Sequence, residues 1–130
     1  MNYTSRMKYG TSLANMFDWT QTTYLRGEYK FNNSYVDRLC NKLVSSPLIY
    51  SVFASIEKDR NEEHNHLHLL FSSKNKLNRY KLSKLSGFNS LGIGNVDNIK
   101  NKTGVSKYVA KHIGRDFSYH NLYIWKKQSI

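Results

Sequence analysis

Two histidines separated by a single leucine, His66-Leu67-His68, lie inside a stretch of strand-forming residues, His64 to Ser72. Side chains alternate across an extended chain, so His64, His66 and His68 share one face while Leu67, Leu69 and Phe71 take the other. Strand rise sets successive same-face imidazoles about 7 Å apart, near enough for both to reach one ion. Glu57 closes the preceding apolar, β-branched stretch, Leu48 to Lys58, and the polar turn at 59–63 folds that stretch back beside the histidines as a hairpin. Two imidazoles and one carboxylate leave coordination positions for water and a phosphate oxygen. Such a donor set suits Mg²⁺ or Mn²⁺, and zinc would accept it too. Paired histidines alone also describe a surface strand with no ion; Glu57 on the partner strand tips the pattern towards a metal site.

A second group with chemical potential lies near the C-terminal end. Val105, Val109 and Ile113 recur at helical spacing and predict a buried stripe. At 100° per residue, Tyr108 falls roughly 60° from the Val105 direction, at the edge of that stripe. Lys111 is its neighbour on the more exposed side. The alternative is a boundary tyrosine that simply packs. His112 reads as a packed histidine, and His64 as a flanking residue near the turn.

These groups need elements to hold them. Residues 17–26, rich in aromatics and threonine, predict a first strand. A helix is expected from Asn33 or Ser34, with Ser34 as N-cap, and its apolar face carries Tyr35, Val36, Leu39, Cys40, Leu43 and Val44. Pro47 ends it. After the hairpin, Lys74 to Leu85 reads as a helix, Gly92 to Ile99 as a short strand, and Thr103 or Gly104 opens the last helix, with Gly114 as its C′ residue. Leu122 to Trp125 reads as a final strand. The order β-α-β-β-α-β-α predicts an α+β fold, an antiparallel sheet with helices packed on one face. A single domain over residues 1–130 is expected, with a loose start over residues 1–15.

The balance of 20 Lys+Arg against 9 Asp+Glu gives a net charge of +11, which favours polyanionic partners, nucleic acid first. Lys74, Lys76, Arg79, Lys81 and Lys84 come just after the histidine strand and are therefore expected close to the candidate metal site, as contacts to DNA phosphates there, with a solvated helix face as the alternative. Trp19, Tyr24 and Tyr29 could stack on unpaired bases, or serve the core. No apolar run is long enough for a membrane span, and no apolar stretch follows the N-terminus as in a signal peptide. The single cysteine, Cys40, has no internal partner for a disulfide, so a reducing, intracellular location is expected.

Taken together, these letters resemble the HUH endonucleases. His66-Leu67-His68 matches the His-hydrophobe-His motif, and Tyr108-Val109-Ala110-Lys111 matches the Tyr-x-x-Lys motif of the replication-initiator (Rep) proteins of small viruses, phages and plasmids. Glu57 stands where viral Reps place a third metal ligand. Thr20 to Thr23 occupies the place of the first Rep motif, but its letters depart from it. The resemblance spans residues 17–113.

It implies an HUH/Rep nuclease-like, ferredoxin/RRM-like core and a metal-dependent transesterification of single-stranded DNA at a replication origin. Glu57, His66 and His68 would hold Mn²⁺ or Mg²⁺. Tyr108 would attack, leaving a 5′-phosphotyrosine and a free 3′-hydroxyl, with Lys111 stabilising the phenolate or the phosphate. The resemblance implies rolling-circle-type initiation in the host cytoplasm, with a separate polymerase. The chain has no Walker motif, so it also implies a separate helicase. Positions 104 and 112 are Gly104 and His112, so a second tyrosine would have to come in trans from a homodimer. Two rivals remain at this point. One is a single-tyrosine HUH transposase, which usually has glutamine where His112 stands. The other is a non-enzymatic basic regulator that binds nucleic acid.

Overall fold

The histidine stretch and the stretch before it do pair. In the computed structural model, which describes residues 2–59, 64–87, 92–112 and 120–124, β2 (Ile49–Lys58) and β3 (Asn65–Ser73) run antiparallel. Glu57 is opposite His66, and Ser55 is opposite His68. β1 (Gln21–Arg26) pairs with the other edge of β3, with Tyr24 opposite His68, so the histidine strand is central. β4 (Gly92–Ile93) and β5 (Asp97–Asn98) both pair with β1, and β6 (His120–Ile124) pairs with β2. The order is β4-β1-β3-β2-β6 with β5 also on β1, and every pairing among the described residues is antiparallel.

Four helices complete the described chain: α1 (Tyr3–Ala14), α2 (Asn33–Val44), α3 (Arg79–Ser86) and α4 (Lys102–His112). The fold is α+β, as the periodicity predicts, but the helices cover both faces of the sheet. Leu67, Leu69 and Phe71 of β3, with Val52, Ala54 and Ile56 of β2, form a core with Val36, Leu39, Cys40 and Leu43 of α2 and Leu82 of α3. On the opposite face, Phe53 and Leu70 pack with Leu13, Ala14, Trp19, Val105 and Val109. Burying each large apolar side chain stabilises by roughly 1.5–3 kcal/mol. The face that carries His66 and His68 is therefore apolar around Phe53 and Leu70, under α1 and α4, and carries its charged and imidazole groups towards the start of β3.

The expected loose start is a helix instead. Asn2 caps α1 by accepting a hydrogen bond from the Ser5 N–H at 2.8 Å, and the Trp19 indole N–H donates to the Leu13 carbonyl at 2.7 Å. Its sequence signal is weak because α1 buries little more than Gly10, Leu13 and Ala14, and packs mainly against another helix. Gly10 is the point of closest approach. A Cβ built there would lie 2.8 Å from the Ser106 carbonyl oxygen and 3.1 Å from Val109 Cβ.

Other boundaries shift for local reasons. α2 is capped by Asn32, whose side chain accepts from the Tyr35 N–H, so Ser34 is already inside the helix. The helix expected from Lys74 begins only at Arg79. The Gln21 side-chain amide bonds both the N–H and the carbonyl of Leu77, holding that residue outside the helix, and Asn78 then caps α3. The first strand starts at Gln21 rather than residue 17, because Trp19 turns away to close α1. The strand expected over Gly92 to Ile99 is split in two around Gly94. Ile113, Gly114 and Trp125 lie outside the described residues. None of the described helices is long and apolar enough to cross a membrane.

Two measurements test this packing. Gly10→Val, although it adds no polar group, should lower stability by about 1–3 kcal/mol through overpacking of α1 on α4, seen as a lower urea midpoint with unchanged slope. Burial raises the Cys40 thiol pKa to about 12. A thiol-reactive dye at pH 8 should therefore leave the folded chain unlabelled and react fully once denaturant is added.

Candidate metal centre and tyrosine site

The register of β2 on β3 does most of the positioning. Because Glu57 faces His66 directly and His68 diagonally, its carboxylate can serve both rings. Glu57 Oε2 is 2.6 Å from His68 Nε2 and 3.6 Å from His66 Nε2, and the two Nε2 atoms are 3.2 Å apart. One ligand atom from each of the three residues lies within 4.8 Å of the others, so together they are close enough to bind one metal ion.

Each ring is oriented from behind. Asp59, two residues beyond Glu57 and on the same side of the chain, meets His66 Nδ1 at 2.9 Å. Arg26 grips the Asp59 carboxylate with both terminal nitrogens, at 2.8 and 3.3 Å. The Arg26 hydrogen bonds, with help from His66, hold the Asp59 carboxyl down at about 2. As an anion it only accepts, so His66 Nδ1 carries a hydrogen and its Nε2 lone pair points at the cluster.

His68 is buried, and burial, reinforced by the neighbouring His66, lowers its pKa to about 4, so the ring is neutral at pH 7. Its Nε2 hydrogen donates to Glu57, which leaves Nδ1 to accept from the Tyr108 hydroxyl at 2.9 Å. The lone pairs of Glu57 Oε2 and His66 Nε2 thus converge on the single hydrogen at His68 Nε2, and that hydrogen can move to Nδ1 to free a third lone pair. A divalent cation in that place would satisfy all three, which is the sense in which this donor set fits a metal.

α4 brings Tyr108 to the cluster from above the sheet. Val105 and Val109 anchor the helix in the α1 core, and Asn101 caps it by accepting from the Gly104 N–H at 2.9 Å. The tyrosine ring meets the His68 ring edge-on at 5.7 Å between centroids. Burial first, then the charges of Glu57 and Asp97, push the phenol pKa above its ordinary value, so the chain by itself keeps Tyr108 protonated. The ring is half-buried, with its open side on a groove of about 320 Å³ lined by Thr22, Asn98, Lys100, Asn101 and Gly104.

Glu57, His66, His68 and Tyr108, drawn from three elements, therefore meet as one cluster. Lys111 lies exposed on α4, one turn beyond Tyr108. His64 precedes β3 and is exposed, and the His112 side chain is outside the described residues. The basic segment is elsewhere. Lys74 follows the end of β3 remote from the histidines, roughly 20 Å from His68 by strand rise. Lys76 and Arg79 flank Leu77, which is tied to Gln21 opposite Phe71. Lys81 and Lys84 ride on α3, under the other face of the sheet, and the chain leaves α3 against Lys42. The expectation that these five cations lie close to the metal ligands is thus corrected: the residues between the histidines and Lys74 are spent crossing the sheet.

Asp59 and Arg26 were missed by sequence reasoning, which gave Asp59 only to the polar turn. Two signals could have found them: Asp59 continues the alternation of Glu57, and a metal-facing histidine needs an acceptor for its second nitrogen. Compared with known proteins, the chain matches no family model, no curated protein and no solved structure.

Asp59→Leu removes the acceptor that fixes the His66 ring while keeping a side chain of similar size. It should weaken Mn²⁺ binding about 10–100-fold in a calorimetric titration, with little change in melting temperature.

Proposed function

We propose that this chain is a metal-dependent endonuclease of the HUH replication-initiator type, which nicks and rejoins single-stranded DNA through a 5′-phosphotyrosine at Tyr108. One observation carries the reading: the Tyr108 hydroxyl lies 2.9 Å from the same imidazole that meets Glu57 at 2.6 Å. A packing tyrosine has no need to end on a ring of the metal cluster. The antiparallel sheet with its paired histidines on the central strand supports an HUH-like core. The net charge of +11 suits a polyanionic substrate.

A divalent cation, Mn²⁺ or Mg²⁺, held by Glu57, His66 and His68 would polarise a phosphate and offset the charge that builds up on it. The chain's own groups do the rest. With its Nε2 lone pair turned to the cluster, His68 keeps its ring hydrogen on Nδ1 and donates it to the Tyr108 oxygen, which favours the phenolate. The phenol gives its proton to solvent, its oxygen attacks phosphorus, the bond from phosphorus to the 3′ oxygen breaks, and the 3′ oxygen takes up a proton from solvent. Lys111, on the rim, counters charge on the phosphate. The phosphodiester energy stays in the tyrosine ester, so religation needs no nucleotide. A polymerase then extends the 3′-hydroxyl, a separate helicase opens the duplex, and a partner subunit provides any second tyrosine. The setting is the host cell interior.

The test uses single-stranded oligonucleotides of randomised sequence, labelled at the 3′ end, incubated with the protein and Mn²⁺ and run on a denaturing gel. Label should migrate with the protein. Tyr108→Phe and His66→Ala should each abolish the adduct, and chelator should do the same. An adduct that survives Tyr108→Phe overturns the assignment of the nucleophile. No adduct under any condition leaves the non-enzymatic binding domain as the better reading.

A further inference from the structure

β1 borders the histidine strand, and its residues on the site face are Thr22, Tyr24 and Arg26. Thr22 lines the groove beside Tyr108, and Arg26 is engaged with Asp59. Tyr24 lies between them, directly opposite His68, yet 46% of its surface is exposed. A large aromatic ring one strand away from a buried histidine would ordinarily be covered.

The ring is also held in place. The Gly94 N–H donates to the Tyr24 carbonyl at 2.9 Å, and the Thr23 hydroxyl donates to the Gly94 carbonyl at 3.3 Å, which fixes the loop beneath the side chain. A Cβ at Gly94 would lie 2.3 Å from the ring's Cζ, inside the ring edge. Only glycine lets the phenol rest on that backbone. One side of the ring therefore lies against the loop and the rest of it looks outwards.

We propose that Tyr24 is a stacking platform for one unpaired base of the strand whose phosphate sits at the Glu57, His66 and His68 cluster, and so selects single-stranded over duplex nucleic acid. The inference rests on the nuclease reading for the identity of that strand. The chemistry is direct. A duplex keeps its base faces against each other, and only an unpaired base has a π-face to offer an exposed ring. Tyrosine suits the task because two torsions are all it must fix, and here the Gly94 backbone has already limited them. The overall positive charge draws the phosphates in, while the ring supplies a contact that duplex cannot use.

The experiment measures fluorescence anisotropy of labelled oligothymidylate and of a labelled hairpin duplex, in a Tyr108→Phe background with chelator, so that no cutting occurs. Tyr24→Ala should weaken oligothymidylate binding at least about fivefold and leave the duplex unchanged. Tyr24→Phe, which keeps the ring, should bind as the parent does. Gly94→Ala, which keeps the ring but displaces it, should give a loss in the same direction. Unchanged oligothymidylate affinity in Tyr24→Ala, or an equal loss for both probes, overturns the proposal. The adduct assay on the otherwise unaltered chain separates the two readings. Absence of adduct with the strand preference intact removes the cutting chemistry and supports the platform, whereas adduct formation without any Tyr24-dependent preference removes the platform alone.

Discussion

Everything at the site is downstream of one pairing register. Glu57 faces His66 across two antiparallel strands, and His68 follows on the same face. Because side chains alternate with a period of two, a slip of a single residue would turn Glu57 into the α2 core and bring Ile56 to the histidines. The register is held by what lies beneath it. Val52, Ala54 and Ile56 alternate with Leu67, Leu69 and Phe71 on the buried face, so a slipped pairing would expose apolar groups from one strand and bury polar ones. The same alternation that fills the core brings Glu57, His66 and His68 together.

The groups behind the ligands contribute orientation more than stability. Arg26 is half-exposed, and an exposed ion pair is worth only about 0–1 kcal/mol. Its contact with Asp59 nevertheless decides which His66 nitrogen carries the hydrogen, and with it which lone pair is presented. His68 has the opposite problem. It is buried, kept neutral by that burial, and hydrogen-bonded at both nitrogens, to Glu57 on one side and Tyr108 on the other. The hydrogen it holds can sit on either nitrogen, so what happens at one edge of the ring is felt at the other.

Much of this was legible in the chain. Two histidines at alternate positions, an acidic residue ending the strand before, and a tyrosine at the border of a helical stripe each obey a local periodicity, and local periodicity is what sequence reports well. The misses have a common cause. α1 makes a poor amphipathic pattern because its partner is another helix met through Gly10. The delayed start of α3 depends on the Gln21 side chain, far away in sequence. Asp59 acquires its role only when Arg26 arrives from another strand. The placement of the basic segment fails for a simpler reason: proximity in sequence was taken for proximity in space, and a nine-residue strand stands between.

The close packing of α1 on α4 has a bearing on how the protein comes into being. The helix that carries Tyr108 is seated on the sheet with the help of α1, and Gly10 and Ser106 touch although some ninety residues separate them. Contacts of such long sequence separation form late, since a large loop must close before they give any return. The strand hairpin can assemble from neighbours alone. Without α1 the helix that carries the phenol lacks much of its seating, so a partly folded chain would hold Glu57, His66 and His68 in register with Tyr108 not yet fixed beside them. Maturation of the site is thereby tied to completion of the whole domain.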